Sequence, residues 1–118
     1  MAKRVLIVDD DAEIATMLSR SLLRRGFTIE SIPDPKQAAA RAAEAGFDAA
    51  LLDLVMPGQD GMALARSLRE KLPGLKIALL TGYTHSPLLQ AAERERMAVF
   101  LKPVVIHEIV EFLQKDES

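Results

Sequence analysis

Val5-Leu6-Ile7-Val8 runs without interruption into Asp9-Asp10-Asp11, and Ala49-Ala50-Leu51-Leu52 runs the same way into Asp53. A short apolar run bounded by polar residues reads as a buried β-strand. When such a run stops abruptly in acid, the strand tip opens to solvent. Two adjacent parallel strands of this kind bring their acidic tips together at one edge of a sheet.

Outward from these runs, strand-like segments alternate with helical periodicity. Strand one is Arg4 to Val8, and helix one carries Ile14, Met17, Leu18 and Leu22 on one stripe. Arg24 and Arg25 suit its negative C-terminal end, and Gly26 suits a left-handed cap. Strand two is Phe27 to Ile32. Asp34 is placed as an N-cap, with Pro35 at the first helical position and Gln37 closing a capping box. The Ala-rich second helix stops at Gly46. Strand three is Ala49 to Leu52, Pro57 to Gly61 is a turn, and helix three runs from Met62 to Lys71 with Leu64, Ala65, Leu68 and Leu72 facing inward. Strand four is Lys76 to Leu80, followed by a loop from Thr81 to Ser86 and a helix from Pro87 to Arg96 with the weakest apolar stripe of the set. Strand five is Ala98 to Leu101, and helix five presents Ile106, Ile109, Val110 and Leu113. Five such units with continuous apolar strands predict an α/β fold, a parallel sheet covered by helices on both faces.

The expected organisation is a single domain over residues 1–118, a length that supports a sizeable core. Apolar content of 49% and charged content of 27% are ordinary for a globular chain. A net charge of −2 gives no electrostatic reason for direct nucleic-acid binding. The absence of Cys excludes disulfides and thiolate–zinc sites. No apolar stretch approaches the ~20 residues of a membrane helix, and Met1-Ala2-Lys3-Arg4 leads directly into a strand. The expectation is a cytoplasmic protein with no membrane association.

Ligands of open parallel sheets bind beyond the carboxyl ends of the strands. The polar residues fall there: Asp9 and Asp10 after strand one, Asp53 after three, Thr81 after four and Lys102 after five. Clustered carboxylates raise one another's pKa and call for a cation. Hard oxygen donors without Cys or nearby His point to Mg²⁺, which keeps several waters free for a phosphate. Two acids suit the metal, a third next to it suits nucleophilic attack on phosphorus, and a lysine and a hydroxyl suit the arriving anion.

The segments Val8-Asp9-Asp10-Asp11, Leu51-Leu52-Asp53-Leu54-Val55-Met56-Pro57-Gly58, Asp60-Gly61, Leu80-Thr81-Gly82 and Leu101-Lys102-Pro103 give the chain, over essentially its whole length, a resemblance to the receiver domain of bacterial two-component response regulators. The resemblance implies a flavodoxin-like (βα)5 sandwich with strand order 2-1-3-4-5. It implies Asp53 as acceptor of a phosphoryl group from a sensor histidine kinase or phosphotransfer protein. It implies Mg²⁺ held by Asp9, Asp10, Asp53 and the backbone carbonyl of Val55, with Lys102 and Thr81 contacting the phosphoryl group and Pro103 as a cis-proline that aims the lysine. The output would be a changed surface of helix four, strand five and helix five, for homodimerisation, a downstream protein target or an output domain absent from this chain. Such a protein is a signalling module acting chemically only on itself, rather than an enzyme.

One departure is visible. The family's switch aromatic lies three positions before the lysine, where this chain has Val99; Phe100 lies two before Lys102. Strand alternation sends the two to opposite faces. Either strand five carries a one-residue register change, or the chain signals without the aromatic rotor, and the second reading is preferred. Tyr83 offers an alternative aromatic gate, and with apolar Val55 it would shield a phosphoaspartate from water.

Plainer roles exist for each residue. Asp10 with Glu13 would serve as a capping box, Asp11 as a solvated cap, and Asp60-Gly61 as turn and helix-start chemistry. Glu93 to Arg96 reads as a solvated helix face, and the isolated His85 and His107 as neither ligands nor relays. It is the joint placement at strand ends that outweighs these readings. A phosphatase of the haloacid dehalogenase type needs an acid where Val55 stands. A flavin-binding protein of flavodoxin type would not place Asp9-Asp10-Asp11 against a phosphate, and 4% aromatics leaves little to stack on a flavin. A receiver-like interaction module that is never phosphorylated is the remaining alternative.

Overall fold

The computed structural model describes residues 3–56, 59–82 and 87–115. Five parallel strands, β1 (Arg4–Val8), β2 (Thr28–Ser31), β3 (Ala49–Asp53), β4 (Lys76–Thr81) and β5 (Ala98–Leu101), form one sheet in the order β2-β1-β3-β4-β5. This is the flavodoxin-like α/β architecture and the 2-1-3-4-5 order. The connections contain α1 (Ala12–Leu23), α2 (Pro35–Glu44), α3 (Gly61–Lys71) and α4 (Pro87–Arg94), and α5 (Ile106–Gln114) follows β5.

Strand alternation builds two cores. Leu6, Val8, Ala50, Leu52 and Leu79 pack with Ala38 and Ala42 of α2, Leu64, Ala65 and Leu68 of α3, and Leu89 and Ala92 of α4. Their sequence neighbours Val5, Ile7, Leu51, Ala78 and Leu80 pack with Ala15, Leu18 and Leu22 of α1 and Ile109 and Leu113 of α5. Because both faces are covered, the central strands are apolar throughout rather than alternating. No described helix is long and apolar enough to cross a membrane.

Local chemistry sets the helix boundaries. Asp11 caps α1 by accepting from the Glu13 and Ile14 amides at 3.0 and 3.4 Å, so the cap is Asp11 and not Asp10. Gly26 takes a φ of +92° in the turn after α1, a conformation that costs glycine least. Asp34 caps α2 through the Lys36 amide at 3.0 Å, with Pro35 at the start of the helix.

Several boundaries differ from those expected. The second strand is shorter, Thr28–Ser31, because the Phe27 amide turns back to the Leu22 carbonyl. Asp53 and Thr81 are the last residues of β3 and β4 rather than the first beyond them. α2 ends at Glu44, and α3 starts at Gly61. A minimal antiparallel hairpin pairs Val55 with Asp60 and Met56 with Gln59. α4 ends at Arg94, and its apolar and polar sides are the most sharply divided of the five described helices, not the least. A helix continued to Arg96 would carry a charge on the Leu88-Leu89-Ala92 face. In the structure Arg96 leaves the helix at φ +58°.

The charged run at the end of α4 is also more than a solvated face. Arg66 Nε of α3 lies 3.0 Å from both Glu95 carboxylate oxygens, and Arg69 Nη1 donates to the Glu95 carbonyl at 2.9 Å.

Candidate functional site

The register of the sheet brings the acids together. Pairing of Val8 with Leu52 sets the tips of β1 and β3 level, and pairing of Asp53 with Leu80 brings β4 alongside. The Lys102 amide donates to the Thr81 carbonyl at 2.8 Å, which extends the β4–β5 pairing to the lysine. Asp9, Asp53 and Thr81 are the buried polar or charged residues of the described chain. Asp10 is exposed at the rim of the same cluster.

Asp9, Asp10 and Asp53 each offer a carboxylate oxygen within 4.8 Å of the others. Lys102 reaches in from the end of β5, with Nζ 3.1 Å from Asp9 Oδ2 and 3.5 Å from Asp53 Oδ1. It therefore bridges two acids and sits nearer Asp9 than Asp53. The Asp11 amide donates to Asp9 Oδ1 at 2.9 Å and the Val55 amide to Asp53 Oδ1 at 3.3 Å, so both buried carboxylates are held from the backbone as well.

The electrostatics follow from three acids around one cation. Burial, then the charge of Asp9, pushes the Asp53 pKa from 3.8 up to about 6, although Lys102 and the Val55 amide oppose the rise. Burial presses the Lys102 ammonium toward its neutral form. The hydrogen bond to Asp9 and the charges of Asp53 and Asp9 outweigh that effect, leaving its pKa above the ordinary lysine value. Three carboxylates converging on one point with excess negative charge offer hard oxygen donors that fit a divalent cation.

Thr81 ends β4 at 1% exposure, on the strand next to Asp53. The Lys102–Pro103 peptide bond is cis. Val55 is 40% exposed beside the site. Val99 packs on the face of α2, α3 and α4, whereas Phe100 packs on the face of α1 and α5 with its ring 5.5 Å from Phe112, edge-on. The β4–β5 register runs regularly from Ala78↔Ala98 to Thr81↔Leu101. Tyr83, His85 and the Pro57-Gly58 turn lie outside the described residues. His107 Nε2 lies 3.5 Å from a Glu111 carboxylate oxygen on the surface of α5.

A contact missed in the sequence involves Gly61. Its amide donates to the Leu54 carbonyl at 2.7 Å, and a β-carbon built on it would lie 2.0 Å from the Asp53 carbonyl oxygen. The Asp-Gly pair after a turn was the available signal, but turn chemistry alone accounts for such a pair.

Known proteins resemble the chain in sequence and in fold. The family model described as the response regulator receiver domain matches residues 5–114. The response regulator receiver protein CpdR of Brucella abortus (strain 2308) is 32% identical over 114 residues, covering 96% of this chain and 95% of that protein. The transcriptional regulatory protein ResD of Bacillus subtilis (strain 168) is 34% identical over 107 residues, 91% of this chain and 45% of that protein. The DNA-binding response regulator MtrA of Mycobacterium tuberculosis (strain ATCC 25618 / H37Rv) is 42% identical over 84 residues, 71% of this chain and 36% of its own length. The chain thus spans less than half of ResD and MtrA and nearly all of CpdR.

Among solved structures, the chemotaxis protein CheY4 of Vibrio cholerae superposes with a TM-score of 0.86 at 27% identity, covering 97% of this chain and 98% of that one. A response regulator from Burkholderia pseudomallei, solved with a phosphorylated aspartic acid, calcium ion and citrate, has a TM-score of 0.85 at 27% identity, over 96% of this chain and 67% of its own. Strand order and sequence likeness agree: the chain belongs to the receiver domain family of two-component response regulators.

Proposed function

We propose that the chain is a phosphoacceptor, with Asp53 receiving a phosphoryl group from a phosphohistidine on a sensor histidine kinase or phosphotransfer protein. The observation that carries this reading is the convergence of three carboxylates within 4.8 Å, with Lys102 Nζ against two of them, at the carboxyl ends of adjacent strands. An Asp53 oxygen attacks phosphorus, the bond from phosphorus to the donor imidazole nitrogen breaks, and the imidazole leaves with the electron pair. Asp9, Asp10, Asp53 and the Val55 carbonyl are the groups that would hold Mg²⁺, which when bound supplies charge neutralisation for the acids and the phosphoryl oxygens. Lys102 holds a positive charge against the oxygens that arrive, and Thr81 supplies a hydroxyl from the neighbouring strand. The phosphorylated aspartic acid and calcium ion named for the Burkholderia structure support the same reading.

Phosphorylation replaces one negative charge at Asp53 with about two in an already acidic pocket. Lys102 and Thr81 are the groups positioned to answer it: Thr81 ends the strand that leads toward α4, and Lys102 directly follows β5 on the way to α5. A swing from 1:99 to 99:1 between two forms of that surface needs about 5.5 kcal/mol of differential interaction. The output would be binding to a protein target, a second copy or an output domain, so the chemistry is directed at the chain itself and the module is not an enzyme in the ordinary sense. The position of Phe100 on the α5 face, packed against Phe112, supports signalling without an aromatic rotor at Val99. Incubation with a small acyl phosphate and Mg²⁺, read by intact mass, tests the proposal. Wild type gains one phosphoryl group and Asp53→Asn gains none.

A further inference from the structure

The geometry points to Gly61 as a positioning residue for Asp53: the missing side chain lets the first turn of α3 dock directly on the Asp53 peptide and fixes where the acceptor carboxylate sits. This inference rests on Asp53 being the phosphoacceptor and assigns a second residue to that site.

Asp53 ends β3, and the chain after it makes a tight excursion. The Leu54 amide is held by the Leu80 carbonyl at 2.8 Å, the Val55 amide turns back to Asp53 Oδ1 at 3.3 Å, and the Leu54 carbonyl accepts from the Gly61 amide at 2.7 Å. The peptide carrying the carboxylate is therefore pinned on one side by β4 and on the other by the start of α3. Gly61 is buried there. A β-carbon at this position would stand 2.0 Å from the Asp53 carbonyl oxygen and 2.9 Å from both its carbonyl carbon and the Leu54 Cα. All three atoms are backbone, so no side-chain rotation relieves the clash. Real β-carbons essentially never approach closer than 3.0 Å, so the helix start or the Asp53 peptide moves by about 1 Å. No other described glycine has this property: Gly26, Gly46 and Gly74 face open space, and Gly82 meets only Lys102 Cβ at 4.0 Å. A displacement of about 1 Å at a reacting group costs on the order of 10²-fold in rate.

The test compares Gly61→Ala with Leu68→Ala, which removes buried side-chain volume two turns along the same helix without touching the Asp53 peptide. Each is made in the wild-type background and in an Arg96→Gly background, chosen to add stability away from the site. Three quantities are read: urea stability, phosphorylation by a small acyl phosphate, and the amide resonances of Leu54 and Val55 without added metal. The expected result is roughly 100-fold slower modification and displaced Leu54 and Val55 resonances in Gly61→Ala. Leu68→Ala loses stability yet keeps both near wild type. Equal rates and unmoved resonances in Gly61→Ala would overturn the inference. So would failure of Gly61→Ala to fold even with Arg96→Gly, since Gly61 would then serve the fold rather than the site. If wild type is itself not modified at Asp53, the phosphoacceptor reading fails, and the resonances alone decide whether Gly61 sets the Asp53 peptide.

Discussion

Replacing Asp53 by Asn should make the domain more stable, and the size of the gain follows from the site. Folding raises the Asp53 pKa from 3.8 to about 6. Each unit of pKa corresponds to 1.36 kcal/mol, so the ionised carboxylate lowers stability by roughly 3 kcal/mol relative to its protonated form. The folded state binds this proton more tightly than the unfolded state. Its contribution is therefore full below pH ~4 and is lost as pH rises through about 6. Asn keeps the size and the acceptor for the Val55 amide without the charge. At pH 7–8 in chelator, Asp53→Asn should gain about 2–3 kcal/mol, or roughly 8–12 °C in Tm for a domain of this size. The gain should shrink toward zero at pH 4. Urea unfolding of both proteins across pH 4–8 measures it, and added Mg²⁺ should narrow the gap by stabilising wild type more. Coincident stability curves for the two proteins between pH 5 and 8 would refute the reasoning.

Lys102→Ala leaves Asp9 and Asp53 without their bridging cation. With the lysine side chain 18% exposed, the loss should be about 2–3 kcal/mol at pH 7, below the ~3–5 kcal/mol of a fully buried pair, with slower modification of Asp53. Urea unfolding in chelator checks the first part and intact mass the second. Arg96→Gly should stabilise by about 0.5–1 kcal/mol, because the φ of +58° strains a residue with a β-carbon and suits glycine; unchanged Tm would contradict that backbone geometry. Phe100→Ala should cost about 2 kcal/mol through lost packing on Phe112 while leaving the rate of Asp53 modification within about twofold. A large rate change would give Phe100 a switching role instead.

The sheet was legible because buried parallel strands are written as continuous apolar runs, and their acidic or polar ends mark one edge. Position and residue type accordingly mark Asp9, Asp10, Asp53, Thr81 and Lys102 as strand-end candidates, and the fold brings Asp9, Asp10, Asp53 and Lys102 together. What the sequence concealed lies in close approach and in long-range pairing. The bridging of Asp9 and Asp53 by Lys102 depends on side-chain reach, which strand-end position does not set. Glu95 reads as one charge in a polar run until α3 brings Arg66 and Arg69 against it. The left-handed turn at Arg96 hid the sharp amphipathicity of α4, because a non-glycine residue gives no sign of stopping the helix there. Gly61 gave the right boundary chemistry, but the lack of room for even one methyl group against a backbone oxygen has no sequence signature.

The central claim is that Asp53 accepts a phosphoryl group with the help of a divalent ion held by its neighbouring acids. Its most direct test is the intact mass of wild type and Asp53→Asn after exposure to a small acyl phosphate, each with Mg²⁺ and with chelator. The account predicts a single phosphoryl adduct on wild type in the presence of Mg²⁺ and on none of the other three samples. An adduct on Asp53→Asn, or an unmodified wild type with Mg²⁺ present, would contradict it.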